Sequence, residues 1–287
     1  RELKNLVVSS KKQQTIKKVV SFSGPALHSG RETKIKFLPA PGETGVIFRR
    51  VDLSSAPEIE ASPQRVVSTE RCTTLGRKFS GQEIKVSTVE HLLAAVWSLG
   101  LDNLLVEVDG PEIPITDGSA YPFFKLLKKA GAVAQKQKRH IIKPEEPLRV
   151  KDGPDKYLAY FPHEGFKISF ILQYDNPVVG TQFFQFENRE NNFEEKLVRA
   201  RTFGFEKEID YLHENGLAQG GSLDNALVFG EKQPVNEPRF ADEPVRHKVL
   251  DLIGDLSLNG FVEGHFIAIK SGHTLNVKLA NKIFAAL

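Results

Sequence analysis

The sequence predicts an α+β fold of two similar domains, each a β-sheet layered with a pair of helices. Two observations predict it. Stretches that alternate apolar and polar residues, punctuated by Gly and Pro, are interleaved with longer apolar runs of helical spacing. The second half also repeats the order of the first: a helix leads through a Leu/Asn/Gly turn into a strand, the strand ends at Asp-Gly or Ser-Gly, and another helix follows. The 287 residues, 40% of them hydrophobic, are enough for two cores without staples.

Taken in order, residues 15–60 read as strands and tight turns. "TKIKFLPAPGETGVIFRRVDL" alternates and then breaks at Pro39-Ala40-Pro41-Gly42. A helix follows from Thr88 to about Leu99, where Gly100 is a natural stop. "NLLVEVDG" (103–110) is a strand, and "DGSAYPFFKLLKKAG" (117–131) is a turn and a helix. The polar, basic stretch "QKQKRHIIKPEEP" (135–147) reads as a linker, dividing an N-terminal domain at 14–134 from a C-terminal one at 148–287. Strands then run from about 148 to 186, a mixed segment from 187 to 243, and a helix from about 245 to 257. "GHFIAIKSGHTLNVKLANKIF" closes as strand, turn and helix.

A net charge of +3 suits a ligand carrying a few phosphates and does not suit a nucleic-acid track, for which no basic stripe with interleaved aromatics is present. One cysteine, Cys72, precludes a disulfide within the chain and points to a reducing compartment, so a cytoplasmic location is expected. It also leaves any metal to His and carboxylates. No apolar run approaches the roughly 18 residues of a membrane span. The opening residues carry no signal-peptide core. With no Met anywhere, position 1 included, they are left out of the functional reading.

Three segments could carry chemistry. In "STVEH" (87–91), Ser87 and Glu90 match the S-x-x-E capping box, with Ser87 as cap and Glu90 reaching back to its N–H; they also place a carboxylate beside His91. In "RHKVLDLIGDL" (246–256), His247, Asp251 and Asp255 are spaced i, i+4, i+8 and so line one stripe of a helix, leaving Val249, Leu252, Ile253 and Leu256 for a core. In "IKSGHTLN" (269–276), Gly272 frees a turn, and His273 is expected at a sheet edge with access to solvent. Each alone also fits a bland structural role. Together they contain the parts of a hydrolytic zinc site: His91, His247 and Asp251 as ligands with one coordination place left open, Glu90 as a base, His273 as a proton donor, and Asp255 to orient it.

These residues sit in longer stretches that resemble one family, the UDP-3-O-acyl-N-acetylglucosamine deacetylases of lipid A biosynthesis in Gram-negative bacteria. The stretches are "SGPALHSG", "PAPGETGVIFRRVDL", "STVEHLLAA", "GLDNLLVEVDGPEIPITDGSA", "RARTFGF", "GGSLDNALV", "RHKVLDLIGDL" and "SGHTLNVKL", and they span nearly the whole chain. The resemblance implies a Zn2+-dependent hydrolase that removes the N-acetyl group from UDP-3-O-acyl-N-acetylglucosamine, giving UDP-3-O-acyl-glucosamine and acetate, the committed step of that pathway. It implies two domains packed face to face with the active site between them and a small insert in each; in the second, a βαβ unit at about 200–230 would form a hydrophobic passage, with Phe203, Phe205, Leu217 and Leu227 as candidates.

The resemblance also implies the ligand and acid–base roles above, and adds others. Thr202 would hold the developing oxyanion. Lys248 would stand at the sugar and phosphate side, Lys270 near the diphosphate and His28 at the site's opening. Tyr174 would stack on the uracil where the family more often has Phe, with Phe203 and Gly272 as further substrate contacts. "GPALH" carries Pro25-Ala26 where Gly is more usual. The expected partner is a small UDP-linked acylated amino sugar, with no nucleic acid and no integral membrane segment, and the expected state is a monomer.

Overall fold

The structure is a computed structural model that describes residues 5–189 and 192–287. Its first half contains β1 (Leu6–Ile16), β2 (Val20–Pro25), β3 (Glu32–Pro39), β4 (Val46–Arg50) and β5 (Glu58–Glu60). These are followed by a small hairpin sheet, β6 (Val66–Ser68), β7 (Thr74–Phe79) and β8 (Gln82–Val86). Then come α1 (Glu90–Ser98), β9 (Leu104–Val108), α2 (Tyr121–Ala130) and β10 (Ala132–Ile142). Gly131 ends α2 with a positive φ of 73°, the conformation that favours glycine.

The second half runs β11 (Leu148–Asp152), β12 (Lys156–Phe161), β13 (Phe166–Gln173), β14 (Thr181–Glu187) and α3 (Asn192–Lys196). A parallel pair, β15 (Phe203–Phe205) and β16 (Leu227–Phe229), has α4 (Ile209–Glu214) in its connection. The chain finishes with α5 (Glu243–Leu256), β17 (Phe261–Val262), β18 (Gly264–Ile269) and α6 (His273–Ala285).

The two large sheets are wired alike. Their strand orders are β2-β3-β9-β4-β5 and β11-β12-β18-β13-β14. In each, the strand that is last in sequence within the sheet enters its middle and makes the sheet's one parallel pairing, with β4 in the first and β13 in the second. The expected doubled α+β architecture is therefore present, as is the insert at the same point of each half. Alternation of side chains explains which faces are inward. Ile35, Phe37, Phe48 and Val106 in the first sheet, and Leu158, Phe170 and Phe266 in the second, are fully buried and belong to one core with the helices.

Helices α1 and α5 pack on each other, and they approach closely at Gly254. A Cβ there would stand 2.2 Å from the Glu90 carbonyl oxygen, so no other residue fits without moving a backbone. The expected core positions of α5, Val249, Leu252, Ile253 and Leu256, are all buried.

Two local expectations are corrected. Residues 135–147 are not an open linker: most of that stretch lies in β10, which pairs antiparallel with β1 along its length and parallel with β17 at its end. Its polar residues are tolerated because the ribbon is largely solvent-exposed on both faces, so the apolar alternation that marks a half-buried strand is missing. The capping box also does not form. Ser87 is held in an isolated parallel bridge with Glu112 and its N–H donates to Pro111, so α1 starts later, after Val89, with no side-chain cap. Among the described residues, no helix is long and apolar enough to cross a membrane.

Candidate metal centre

The contact of α1 with α5 brings three side chains from distant parts of the sequence together. His91, in the first turn of α1, and His247 and Asp251, one turn apart on α5, are all buried, and one ligand atom from each lies within 4.8 Å of the other two. Asp251 Oδ1 is 3.2 Å from His247 Nε2 and 3.5 Å from His91 Nε2. Yet this oxygen is buried with no hydrogen-bond partner. An orphaned carboxylate oxygen is costly in a dry site unless a cation meets it. Ligand atoms about 2.0–2.1 Å from a tetrahedral ion stand about 3.3 Å from each other, which matches these spacings.

The protonation states suit the same reading. Burial pushes His247 down to about 3, so it is neutral with a lone pair to give. Its Nδ1 faces the Ala200 carbonyl at 3.0 Å, which assigns the proton there and leaves Nε2 bare. Burial pushes the Asp251 carboxyl up, but His247, Lys248, His91 and His273 outweigh it and hold the carboxyl well below its usual range. Lys248 donates to Asp251 Oδ2 at 2.8 Å, a bond between neighbours i and i+3. Burial opposes the lysine's charge, and Asp251 more than restores it, leaving the ammonium harder to deprotonate than usual.

Two further groups flank this cluster. Glu90 is buried, and the loss of solvent raises its pKa, although His273 and His91 act the other way. One of its oxygens accepts from the Thr73 N–H at 3.1 Å; the other lies 3.8 Å from His273 Nε2. His273 is the first residue of α6, following the central strand β18 rather than a sheet edge, and its side chain is only 10% exposed. The expectation of a solvent-facing edge histidine is thus corrected: the turn at Gly272 directs the ring inward. Its Nδ1 is 2.8 Å from Asp255 Oδ2. Burial disfavours its charge, but Asp255 in contact, with Asp251 and Glu90 nearby, lifts it to about 9. A protonated imidazole and a buried carboxylate therefore face one another beside the His91, His247 and Asp251 cluster.

Glu90, His91, His247, Asp251 and His273 line a cavity of about 510 Å³. The sequence of the chain matches the family described as LpxC, UDP-3-O-acyl N-acetylglycosamine deacetylase, over residues 13–285. The chain belongs to that family. Proteins named UDP-3-O-acyl-N-acetylglucosamine deacetylase from Idiomarina loihiensis and Haemophilus influenzae are 44% and 45% identical to it over 279 residues, 96% of this chain and 90% of each relative. One from Citrifermentans bemidjiense is 44% identical over 274 residues, 94% of this chain and 88% of its own.

The remaining residues singled out by the deacetylase-family resemblance divide between two hollows. Thr202, His28 and Phe203 line the cavity above the cluster. Thr202 is fixed from both halves, its N–H donating to Gly118 at 2.7 Å and its carbonyl accepting from Leu227 at 2.9 Å. The backbone N–H groups of His28 and Ser29 donate to the buried Glu112, while both ring nitrogens of His28 are buried without partners. Burial lowers its pKa. Lys270 and Gly272 line a neighbouring hollow of about 370 Å³, and Lys270 is paired with Asp155. Tyr174 and Lys248 border both hollows. Tyr174 packs against Phe203 and Phe205, with ring centroids 5.7 and 5.1 Å away.

The apolar wall of the cavity differs in part from expectation. Phe203 and Phe205 contribute, but Leu227 is fully buried in the core and Leu217 lies outside the lining; Ile209, Leu212, Leu223 and Val228 line it instead. Sequence reasoning also missed Thr73. Its N–H holds Glu90, and its hydroxyl donates to Asp255 Oδ1 and lies 3.3 Å from His273 Nδ1. It stands in β7's approach with no local signal. Asn276, which donates to Asp255 Oδ2 at 2.9 Å, could have been found from its place three residues after His273 on the same helix.

Proposed function

We propose that this chain hydrolyses the N-acetyl amide of UDP-3-O-acyl-N-acetylglucosamine, releasing acetate and leaving UDP-3-O-acyl-glucosamine, with zinc held by His91, His247 and Asp251. The family match and the names of the relatives support the reaction. The observation that carries the site is the unpartnered Asp251 oxygen between two imidazoles, flanked by Glu90 and His273. Two imidazoles and one carboxylate in a water-poor setting suit zinc; when bound it supplies an open coordination place, acidifies a water and polarises a carbonyl.

The chain's own residues supply the proton traffic. Glu90 is the general base, and its raised pKa brings it closer to the pH at which it must accept a proton. Thr73 occupies one of its oxygens, so the other is the one that takes the water's proton. His273 holds a proton at Nε2, because Asp255 fixes the proton on Nδ1 and stabilises the cation. It delivers that proton to the departing amine. Thr202, in the lining of the same cavity, steadies the oxyanion. Lys248 keeps Asp251 ionised and brings positive charge to the sugar side. Lys270, Gly272 and Tyr174 receive the nucleotide diphosphate end, and the wall around Phe203 receives the acyl chain, with His28 at the mouth. The site is complete within one chain, so a monomer suffices for the reaction, and its buried free thiol suits a reducing cytoplasm.

The test is acetate release from the UDP-linked acyl sugar. Release should stop with a chelator and return with added zinc. Hydrolysis that continues at full rate in chelator would remove the metal from the reaction, and no release at all from this substrate would remove the substrate assignment.

A further inference from the structure

Because the two large sheets are wired alike, their outward faces can be compared. In the first sheet, a central outward row across β3, β9, β4 and β5 reads Lys36, Glu107, Arg49, Glu58. Ion pairs close it: Lys36–Glu107 at 3.7 Å, Arg49–Glu107 at 3.4 Å and Arg49–Glu58 at 2.6 Å. Such charge pairing is the usual chemistry of a sheet face that meets water.

The second sheet departs from this. The row across β12, β18, β13 and β14 reads Tyr157, Ile269, Ile171, Phe183. Phe183 is 59% exposed and Tyr157 43%, and Ile171, with Ile267 in the next row, is exposed as well. The first face has apolar residues too, in its next row of Leu38, Leu105, Ile47 and Glu60, but these are only half-buried, whereas Tyr157, Ile171 and Phe183 stand exposed. A contiguous exposed apolar row usually marks a contact surface.

Its rim shows what kind. In register on the same face stand Lys151 beside Tyr157, Arg149 one pair further along, and Lys167 on β13. The one carboxylate in these rows, Glu187, is already paired with Arg189 at 2.9 Å. At the β11 edge, Arg149, Lys151 and Tyr157 join Lys278 and Lys282 around a hollow of about 660 Å³ that has no carboxylate in its lining. Aromatic and aliphatic side chains rimmed by cations match a bilayer surface with anionic headgroups: the rings enter the interfacial layer and the ammonium groups meet phosphate. A second copy fits less well, because a two-fold contact would set this cationic rim against itself.

We propose that the outward face of this sheet docks the protein reversibly on an anionic lipid bilayer, through Tyr157, Ile171 and Phe183 with Arg149, Lys151 and Lys167. The test is co-sedimentation of the whole chain with vesicles of phosphatidylglycerol and phosphatidylethanolamine, compared with phosphatidylcholine alone. Retention is expected on the anionic vesicles only, falling as salt rises. The double variants I171T/F183T and K151E/K167E should each weaken it by about tenfold or more. Both should turn over a short-chain, freely soluble UDP-sugar substrate at the unmodified rate. The proposal is overturned if the unmodified chain is not retained on anionic vesicles, or if both variants are retained as well as it is. A dimer in sedimentation velocity that I171T/F183T converts to monomer would instead assign the face to a second copy.

Discussion

At the scale of residues, the proposed reaction gives Glu90 and His273 opposite protonation tasks a few ångströms apart, and the two differ because their surroundings differ. Burial keeps Glu90 easier to protonate than a surface carboxyl, whereas Asp255 keeps His273 charged. Glu90→Gln and His273→Ala should each lower kcat by about 10² to 10⁴ with zinc still bound, read from steady-state kinetics beside elemental analysis. Wild-type turnover in either variant would exclude that side chain. The charge on His273 also predicts a stability effect in metal-free protein. Its folded pKa of about 9 lies above the ordinary 6.5, so its contribution is complete below about 6.5 and disappears as the pH rises through 9. Urea denaturation of chelated protein across that window should show stability falling toward alkaline pH, and His273→Ala should flatten the slope. The stripe of His247, Asp251 and Asp255 was legible because helical periodicity is local. Thr73 was not, because nothing near it in sequence shows that its hydroxyl meets a carboxylate 182 positions away.

At the scale of elements, the site depends on how closely two helices approach. Gly254 lets α5 lie against the backbone of α1 at Glu90, the residue next to the proposed ligand His91. Gly254→Ala would force the helices apart, costing about 1–3 kcal/mol by overpacking. Zinc affinity should fall with stability, because the ligands on the two helices would separate; thermal melts with a zinc-binding titration test both, and full affinity in this variant would show that the site tolerates the shift. Sequence reading found α1, α2, α5 and α6 within a few residues, since apolar runs of helical length mark them and a glycine ends α1 and α2. It misread β10, where a solvated ribbon has no such run, and the start of α1, where a nonlocal bridge to Glu112 overrides the capping signal of Ser87.

At the scale of the whole molecule, the candidate ion would be held by one residue of the first half and two of the second, so it would tie the halves together. A ligand present at about a thousand times its Kd adds about 4 kcal/mol to the folded state. For a chain of this size, removing zinc with a chelator should therefore lower Tm by roughly 10 °C in calorimetry. An unchanged Tm would mean that the ion is not bound across the junction. The matching strand orders of the two large sheets have one more consequence. Every strand of these two sheets has a counterpart with the same neighbours in the same directions, so this polypeptide contains its own reference state. A substitution on the Tyr157 side can be judged against the matching exchange on the Lys36 side, at one temperature and in one solution, and any difference between the two belongs to what each surface meets rather than to the architecture beneath it.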